Sequence, residues 1–337
     1  MGVFLTLFMI DYFFVDYYPE FLKTESKGTR IVLITILPLI PVYIILKVID
    51  YFKKNWGTWQ QNAPLIMISL KRNSKKQLVE ATGIRTRKSS IYNPGQSEDF
   101  KISRSKFDDF LKCKKCFYLD RVKGFESPQI PQFKLNELTD KLFKKEFDLC
   151  REKEIPHRLF KNNNLEHLIP FKHKDIERWR DSLHYGLMAK YKTTNIILTG
   201  GVDDVLINKK NGKLVVVDYK SQVKKKEELN TKSYLEDVYH QGYKTQLEFY
   251  SFLFKEMGFE VDQFGYFIVC NGSDETNEFN GIMKFDELII PYELDDSWIP
   301  KKIDEMIKII NSKKIPSSNE SCMNCAYARQ RNDIWAI

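Results

Sequence analysis

Residues 198–222, LTGGVDDVLINKKNGKLVVVDYKSQ, read as two β-strands joined by a tight turn. Asn211-Gly212 suits the positive φ angles of a hairpin loop. The first strand carries Asp203 and Asp204 just after a double glycine. The second runs through Val215, Val216 and Val217 into Asp218-Tyr219-Lys220. Carboxylates and a lysine beside so apolar a run call for a partner or a metal. Asp218 and Lys220 fall on one face of their strand, because side chains alternate with period two. The same alternation turns Asp204 away from Asp203 and makes it a neighbour rather than a member of the group.

A hairpin of this kind brings Asp203 and Asp218 together at one end of a sheet. Two such carboxylates hold a hydrated divalent cation, with the carbonyl of Tyr219 as a third ligand. A metal held there can activate water and absorb charge at a phosphate, the two requirements of phosphodiester hydrolysis. The Lys220 ammonium can orient the attacking water and offset developing negative charge. An ion-paired strand end is the plain structural alternative.

Composition leaves room for that chemistry. The chain of 337 residues is 43% hydrophobic and 29% charged, with a net charge of +8, which fits a folded protein of one large or two ordinary domains. The charge is uneven: residues 1–66 carry 6 Lys/Arg against 5 Asp/Glu, whereas residues 71–123 carry 15 against 6. Such a basic excess suits DNA, RNA or anionic headgroups, or else a solvated face. Six cysteines are too few for a disulfide scaffold, and four fall into two pairs, Cys113-x-x-Cys116 and Cys322-x-x-Cys325, with ligand spacing. Two such pairs can close a four-thiolate metal site, with free packed thiols as the alternative. Cys150 and Cys270 sit in apolar surroundings and read as core. No His-Glu-x-x-His and no phosphate-binding Gly-x-x-x-x-Gly-Lys-Ser/Thr occurs, so a zinc-hydrolase site and an intrinsic ATP-driven motor are unsupported.

The N-terminal residues 1–66 form a hydrophobic segment of a different character. IVLITILPLIPVYIIL, 31–46, has 16 residues without a charge and extends to Ile49. It reads as a membrane helix over 31–49, or a shallow hairpin with the aromatic stretch before it. A buried helix, or an upstream extension bypassed by a start at Met67, are the alternatives. Residues 67–101 are polar and basic and read as a linker with a turn at Asn93-Pro94-Gly95. Helices are expected from a Ser103 or Ser105 cap onward, over 136–153 with Leu138, Leu142, Phe143, Phe147 and Leu149 on one side, over 173–191, and from Tyr239 to Met257. Strands are expected near 263–270 and 281–291, then a last helix ending near Ile310. Tyr118, Tyr219, Tyr243 and Tyr250 are candidates for stacking on unpaired bases; Phe249 reads as core.

Taken in order, Gly201-Val202-Asp203, Asp218-Tyr219-Lys220 and Gln246-x-x-x-Tyr250 resemble the PD-(D/E)XK nuclease superfamily in its RecB-like branch, which includes CRISPR-associated RecB-like exonucleases. The segment SRSKFDDFLKCKKCFYLDRVKG, with its Ser, helix and cysteine, is similar to the opening of that branch. The resemblance covers roughly residues 100–330, the bulk of a domain of that size. It implies an α/β fold: a restriction-endonuclease-like core with a mixed sheet of about four or five strands, flanked by helices, behind the hydrophobic N-terminal helical extension. The nuclease domain is then 102–337. It implies a Mg²⁺- or Mn²⁺-dependent deoxyribonuclease, exonuclease rather than endonuclease, acting in repair, recombination or defence. A non-catalytic DNA-binding module and a membrane-anchored interaction protein are the rivals.

The implied catalytic residues are Asp203, Asp218, Lys220, Gln246 and Tyr250, and the implied metal ligands Asp140, Asp203, Asp218 and Tyr219. Asp140 is preferred over Glu137, Glu146 and Asp148 as the early-helix acid. The family also uses cysteines around the core to hold a [4Fe-4S] cluster. Cys113, Cys116, Cys322 and Cys325 are the residues that match, although they divide two and two rather than one and three, which leaves tetrahedral Zn²⁺ open. The implied partners are DNA and a separate helicase. The implied location is the cytoplasm, with a membrane tether if 31–49 acts as one.

Overall fold

The computed structural model describes residues 47, 70–128, 133–273, 275 and 278–335. The chain divides into two units, Met1–Ile68 and Ser69–Ile337. The extension 1–66 and the membrane reading of 31–49 lie outside the described residues, Lys47 excepted. Among the described residues no helix is long and apolar enough to cross a membrane.

In chain order the second unit runs β1 (Phe100–Ser103), α1 (Arg104–Lys112), α2 (Lys114–Arg121), α3 (Lys134–Lys153), α4 (Arg158–Asn162), β2 (Leu168–Pro170), α5 (Ile176–Arg180), β3 (Leu187–Lys190), β4 (Ile196–Gly200), β5 (Asp204–Asn208), β6 (Leu214–Gln222), α6 (Thr231–Glu236), α7 (Gln241–Glu256), β7 (Phe264–Gly272), β8 (Phe285–Glu293), α8 (Ile299–Ile310) and α9 (Met323–Trp335). Strands β2-β5-β6-β7-β8 form a mixed sheet in which β6 and β7 are parallel and the other neighbours antiparallel. A second sheet has the order β1-β4-β3. This is the mixed α/β architecture of a restriction-endonuclease-like core.

β6 is apolar throughout its first half because both of its faces are covered. Val216, with Phe267 and Val269 of β7, packs toward Phe107 and Phe110 of α1, Leu247 and Phe249 of α7, and Ile303 and Met306 of α8. Val215, Val217 and Tyr219 pack on the opposite side with Phe143 and Phe147 of α3 and Phe160 of α4. Each of these fully buried side chains contributes about 1.5–3 kcal/mol. The parallel β6–β7 pair requires a crossover, and α6 and α7 supply it.

Several segments differ from the sequence expectation. The helix expected over 173–191 is only α5; Gly186, at φ +78°, then breaks the chain and residues 187–190 form β3 against β4. Leu187 and Met188 fit a strand edge as well as a helix stripe, and pairing decided the matter. The first strand of the hairpin is split at Gly200-Gly201 into β4 and β5, which lie in different sheets. On α3 the buried face is Thr139, Phe143, Phe147 and Arg151, while Leu138, Leu142 and Leu149 turn outward. The stretch read as a linker is exposed over 72–84 and anchored to the rest of the unit beyond that. Tyr92 is buried with its hydroxyl donating to Asn311 Oδ1 at 2.9 Å, and Arg85 Nε donates to Asp120 at 2.7 Å. The C-terminal cysteine segment opens the 13-residue helix α9.

Candidate metal centre and cysteine cluster

The hairpin register sets the centre. Asp204 pairs with Val217 and Ile207 with Leu214, so the next position brings Asp203 opposite Asp218. The turn that fixes this register closes through Gly212, at φ +74°, whose N–H donates to the Asn208 carbonyl at 2.7 Å. Asp203 stands just past the end of β5, where Oδ2 accepts the Tyr219 N–H at 2.9 Å. In a strand the N–H and C=O of one residue point the same way. The Tyr219 carbonyl is therefore directed to the Asp203 side, where pairing with β5 has ended.

Asp218 is completely buried. Its Oδ1 accepts a hydrogen bond from Gln246 Nε2 at 2.7 Å. Lys220 Nζ forms an ion pair with Oδ2. Burial raises the Asp218 pKa, the Lys220 ammonium opposes this, and the nearby Asp203 adds to it, pushing the carboxyl up to about 7. Such a group is suited to a cation that removes the cost of its charge. Lys220 also lies over the Tyr243 ring, 4.7 Å from its centroid. Burial works against the Lys220 charge, but Asp218 and Asp203 outweigh it and raise its pKa.

Gln246 and Tyr250 share one face of α7, and Gln246 Nε2 donates to the Tyr250 hydroxyl at 3.3 Å. The double glycine explains how the Tyr250 ring comes so close. A Cβ at Gly200 would stand 2.6 Å from Tyr250 Cε1, and one at Gly201 would stand 2.4 Å from Ser182 Cβ. Near Tyr250 lies Arg104, the first residue of α1, which pairs with Asp108. Burial disfavours the Arg104 charge; Tyr250, Asp108 and Asp218 outweigh that and raise its pKa.

Of the four candidate acids Glu137, Asp140, Glu146 and Asp148, Asp140 is the one that turns to this centre. Lys144 Nζ donates to Asp140 Oδ2 at 2.9 Å and reaches Asp203 Oδ1 at 3.9 Å, so one ammonium bridges the two carboxylates. Burial and the Asp203 charge raise the Asp140 pKa. Glu146 is taken by His157 and Arg158, Asp148 by Arg180, and Glu137 pairs with Lys134. Asp204 points to the other side of the sheet, fully buried. It accepts from Arg151 at 2.6 Å, Arg180 at 2.7 Å and the Tyr219 hydroxyl at 2.8 Å.

The donor set fits a divalent cation: a buried carboxylate balanced by the Lys220 ammonium, a second carboxylate opposite it, a third bridged by the Lys144 ammonium, and a directed carbonyl. Magnesium keeps several waters and needs only one or two protein carboxylates. Arg104 and Lys144 went unread in the sequence, because neither stands at a fixed spacing from the hairpin. Tyr234 was missed for the same reason. Its ring lies tilted against Phe267, the β7 residue paired with Asp218, and its hydroxyl is buried without a partner. Among the base-stacking candidates, Tyr118, Tyr219 and Tyr250 are buried, and Tyr243 is half-buried.

A second cluster lies between α1, α2 and α9. Sγ atoms of Cys113, Cys116, Cys322 and Cys325 all fall within 4.8 Å of one another; among the described residues they are the one group of three or more metal-type side chains so converged. Cys116 stands 3.5 Å from Cys322 and 3.4 Å from Cys325, and Cys113 stands 3.8 Å from Cys325. Burial raises the Cys113 pKa, but hydrogen bonds from the Cys116 and Asn319 backbone outweigh it and lower the thiol to about 7. Cys270 is buried and Cys150 half-buried, away from this cluster.

The model of one protein family, described as the PD-(D/E)XK nuclease superfamily, matches residues 101–330. No curated protein matches the chain. A solved structure titled "Crystal structure of SSO0001" is similar at 17% identity over 63% of this chain and 77% of that one, with a TM-score of 0.25.

Proposed function

The chain belongs to the PD-(D/E)XK nuclease superfamily, and from that membership we propose that it is a Mg²⁺- or Mn²⁺-dependent nuclease that hydrolyses DNA phosphodiester bonds. The observation that carries this reading is the pairing of Asp203 against Asp218, with Lys220 on the same strand face as the buried Asp218 carboxylate. Asp203, Asp218, Asp140 and the Tyr219 carbonyl would hold the ion. When bound, such an ion acidifies water and stabilises charge on the phosphate. Gln246 fixes the Asp218 carboxylate through Oδ1, and Lys220 pairs with Oδ2. Lys220, held by Asp218 and the Tyr243 ring, orients the attacking water and balances developing charge. Tyr250 positions Gln246, and Arg104, held by Asp108, offers guanidinium donors to a phosphate.

The nuclease unit reaches upstream of residue 102 to take in β1 and the buried Tyr92, and the basic stretch there adds charge that favours a polyanion. Preference for ends over internal bonds rests on the branch resemblance. Comparison of linear with covalently closed circular DNA tests it.

The decisive assay is cleavage of single- and double-stranded DNA by full-length protein, with Mg²⁺, Mn²⁺ or chelator. Cleavage is expected with either metal and none in chelator. Asp218→Asn and Lys220→Ala are each expected to lower the rate by about 10²-fold or more, the scale of losing a group that stabilises transition-state charge. A protein that leaves DNA intact, or variants as active as wild type, would overturn the enzyme. DNA affinity that survives both substitutions and chelation would leave a binding module.

A further inference from the structure

The family resemblance implies a [4Fe-4S] cluster on the four cysteines, and the separation of their sulfurs disagrees with it. In a cubane each thiolate caps a different iron, so the four sulfurs stand roughly 6 Å apart, well beyond the ligands of a single ion. Four thiolates on one tetrahedral zinc, each about 2.3 Å from the metal, stand roughly 3.8 Å from one another. The pairs here measure 3.4, 3.5 and 3.8 Å, and no pair exceeds 4.8 Å. Disulfides would require about 2.05 Å, and all four cysteines are free.

The backbone builds the same geometry twice. Cys113 is the N-cap of α2 and Cys116 lies in its first turn; the Phe117 N–H donates to the Cys113 carbonyl at 3.0 Å. Cys322 precedes α9 and Cys325 lies in its first turn; the Ala326 N–H donates to the Cys322 carbonyl at 3.0 Å. A spacing of three from cap to first turn sets both sulfurs of each pair at the positive end of a helix. Two helix N-termini thus meet at one point. That favours thiolates and offsets the charge of −2 that four thiolates leave on Zn²⁺.

Ordinary hydrogen bonds hold the two halves together before any metal is considered. Asn319 Nδ2 donates to the Lys112 carbonyl at 2.9 Å, capping the end of α1, and the Cys322 N–H donates to the Asn319 carbonyl at 3.0 Å. The Tyr118 hydroxyl donates to the Ser312 carbonyl at 2.8 Å. We propose that Cys113, Cys116, Cys322 and Cys325 bind one structural Zn²⁺, not an iron–sulfur cluster, and that this ion clamps the α1–α2 corner to the C-terminal helix. The site is closed, with four protein ligands and no position left for substrate, so the ion takes no part in hydrolysis. The proposal is independent of the nuclease reading.

The test is metal analysis of full-length protein made in medium containing both iron and zinc and purified without oxygen. About one zinc per chain, little iron, no acid-labile sulfide and no broad absorbance near the thiolate-to-iron region are expected. Replacement of the zinc with Co²⁺ should give the intense visible bands of a tetrahedral cobalt tetrathiolate. A mercurial reagent should release the zinc as four thiols react and shift the thermal midpoint downward. Cys116→Ser should lose zinc, while Cys150→Ser should keep it. Iron with stoichiometric labile sulfide would overturn the proposal, as would wild-type protein free of metal. Because the wild-type composition decides the matter, failure of Cys116→Ser to fold leaves the test intact.

Discussion

At the scale of single residues, the centre depends on who neutralises whom. Asp203 and Asp218 face each other with two lysines among them: Lys220 on Asp218, and Lys144 between Asp203 and Asp140. Asp140 shares the Lys144 ammonium with Asp203, whereas Glu146 is held by His157 and Arg158. If Asp140 contributes to metal binding, Asp140→Asn should raise the Mg²⁺ concentration for half-maximal cleavage by about 10-fold, within the range of weakened metal support. Glu146→Gln should leave it unchanged; equal effects in a metal titration would remove Asp140 from the ligand set. Arg104 is argued from its contact with Tyr250 and its proximity to Asp218. Arg104→Ala should raise KM for DNA and flatten its salt dependence more than it lowers kcat, the behaviour of a phosphate contact. A pure loss of kcat would place it elsewhere in the mechanism.

Elements enforce these meetings. The β5–β6 register, closed by the Asn208–Gly212 turn, puts Asp203 opposite Asp218, and the split at Gly200-Gly201 lets Tyr250 of α7 lie against the chain. Gly200→Ala adds a Cβ 2.6 Å from the Tyr250 ring. It should destabilise by about 1–3 kcal/mol, the cost of overpacking, read as a lower urea midpoint with unchanged slope. Gly212 has open space around it but a positive φ, so its substitution strains the turn rather than the core. The α3–α4 corner carries a pH dependence. His157 is buried, stacks on Phe147 at 4.3 Å and caps α4 by accepting the Leu159 N–H. Burial lowers its pKa, against the Glu146 hydrogen bond that raises it. Below about pH 6.5 the unfolded chain takes up a proton that the folded protein refuses, so stability should fall as pH drops from there toward the folded pKa. Denaturant midpoints of wild type and His157→Gln across pH 5–8 check this; parallel curves would refute it.

In the second unit the five-stranded sheet is covered on both faces, with the Asp218–Lys220 pair on one and ion-pair anchoring of Asp204 on the other. Asp204 is fully buried and tied to Arg151 of α3 and Arg180 of α5. Arg180 also reaches Asp148 on α3 at 2.8 Å. Removing one arginine leaves a buried carboxylate short of its partner. Arg151→Ala should therefore cost about 3–5 kcal/mol, measured by chemical denaturation, with metal affinity little changed because Asp204 faces away from the centre. A small stability change would mean that Arg180 alone satisfies Asp204.

What was legible from sequence is what is local. The hairpin could be read because strand periodicity and the Asn-Gly turn lie within one short stretch. Asp218 and Lys220 share a face because two residues separate them, and each cysteine pair is ligand-spaced because cap and first turn are three residues apart. The mixed α/β core was implied by the family resemblance that the ordered motifs Gly201-Val202-Asp203, Asp218-Tyr219-Lys220 and Gln246-x-x-x-Tyr250 carry. Tertiary packing decided the rest. Residues 187–190 became a strand because β4 offered an edge. Asp140 was separated from Glu146 and Asp148 by how α3 docks on the sheet, since that rotation fixes which acid meets Asp203. Arg104 joined the centre only because α1 and α7 share the core beneath it. The distances between the four sulfurs, which separate one ion from a cluster, depend on how closely the N-termini of α2 and α9 approach. No spacing along the chain encodes that approach, because it is set by the packing of segments about 200 residues apart.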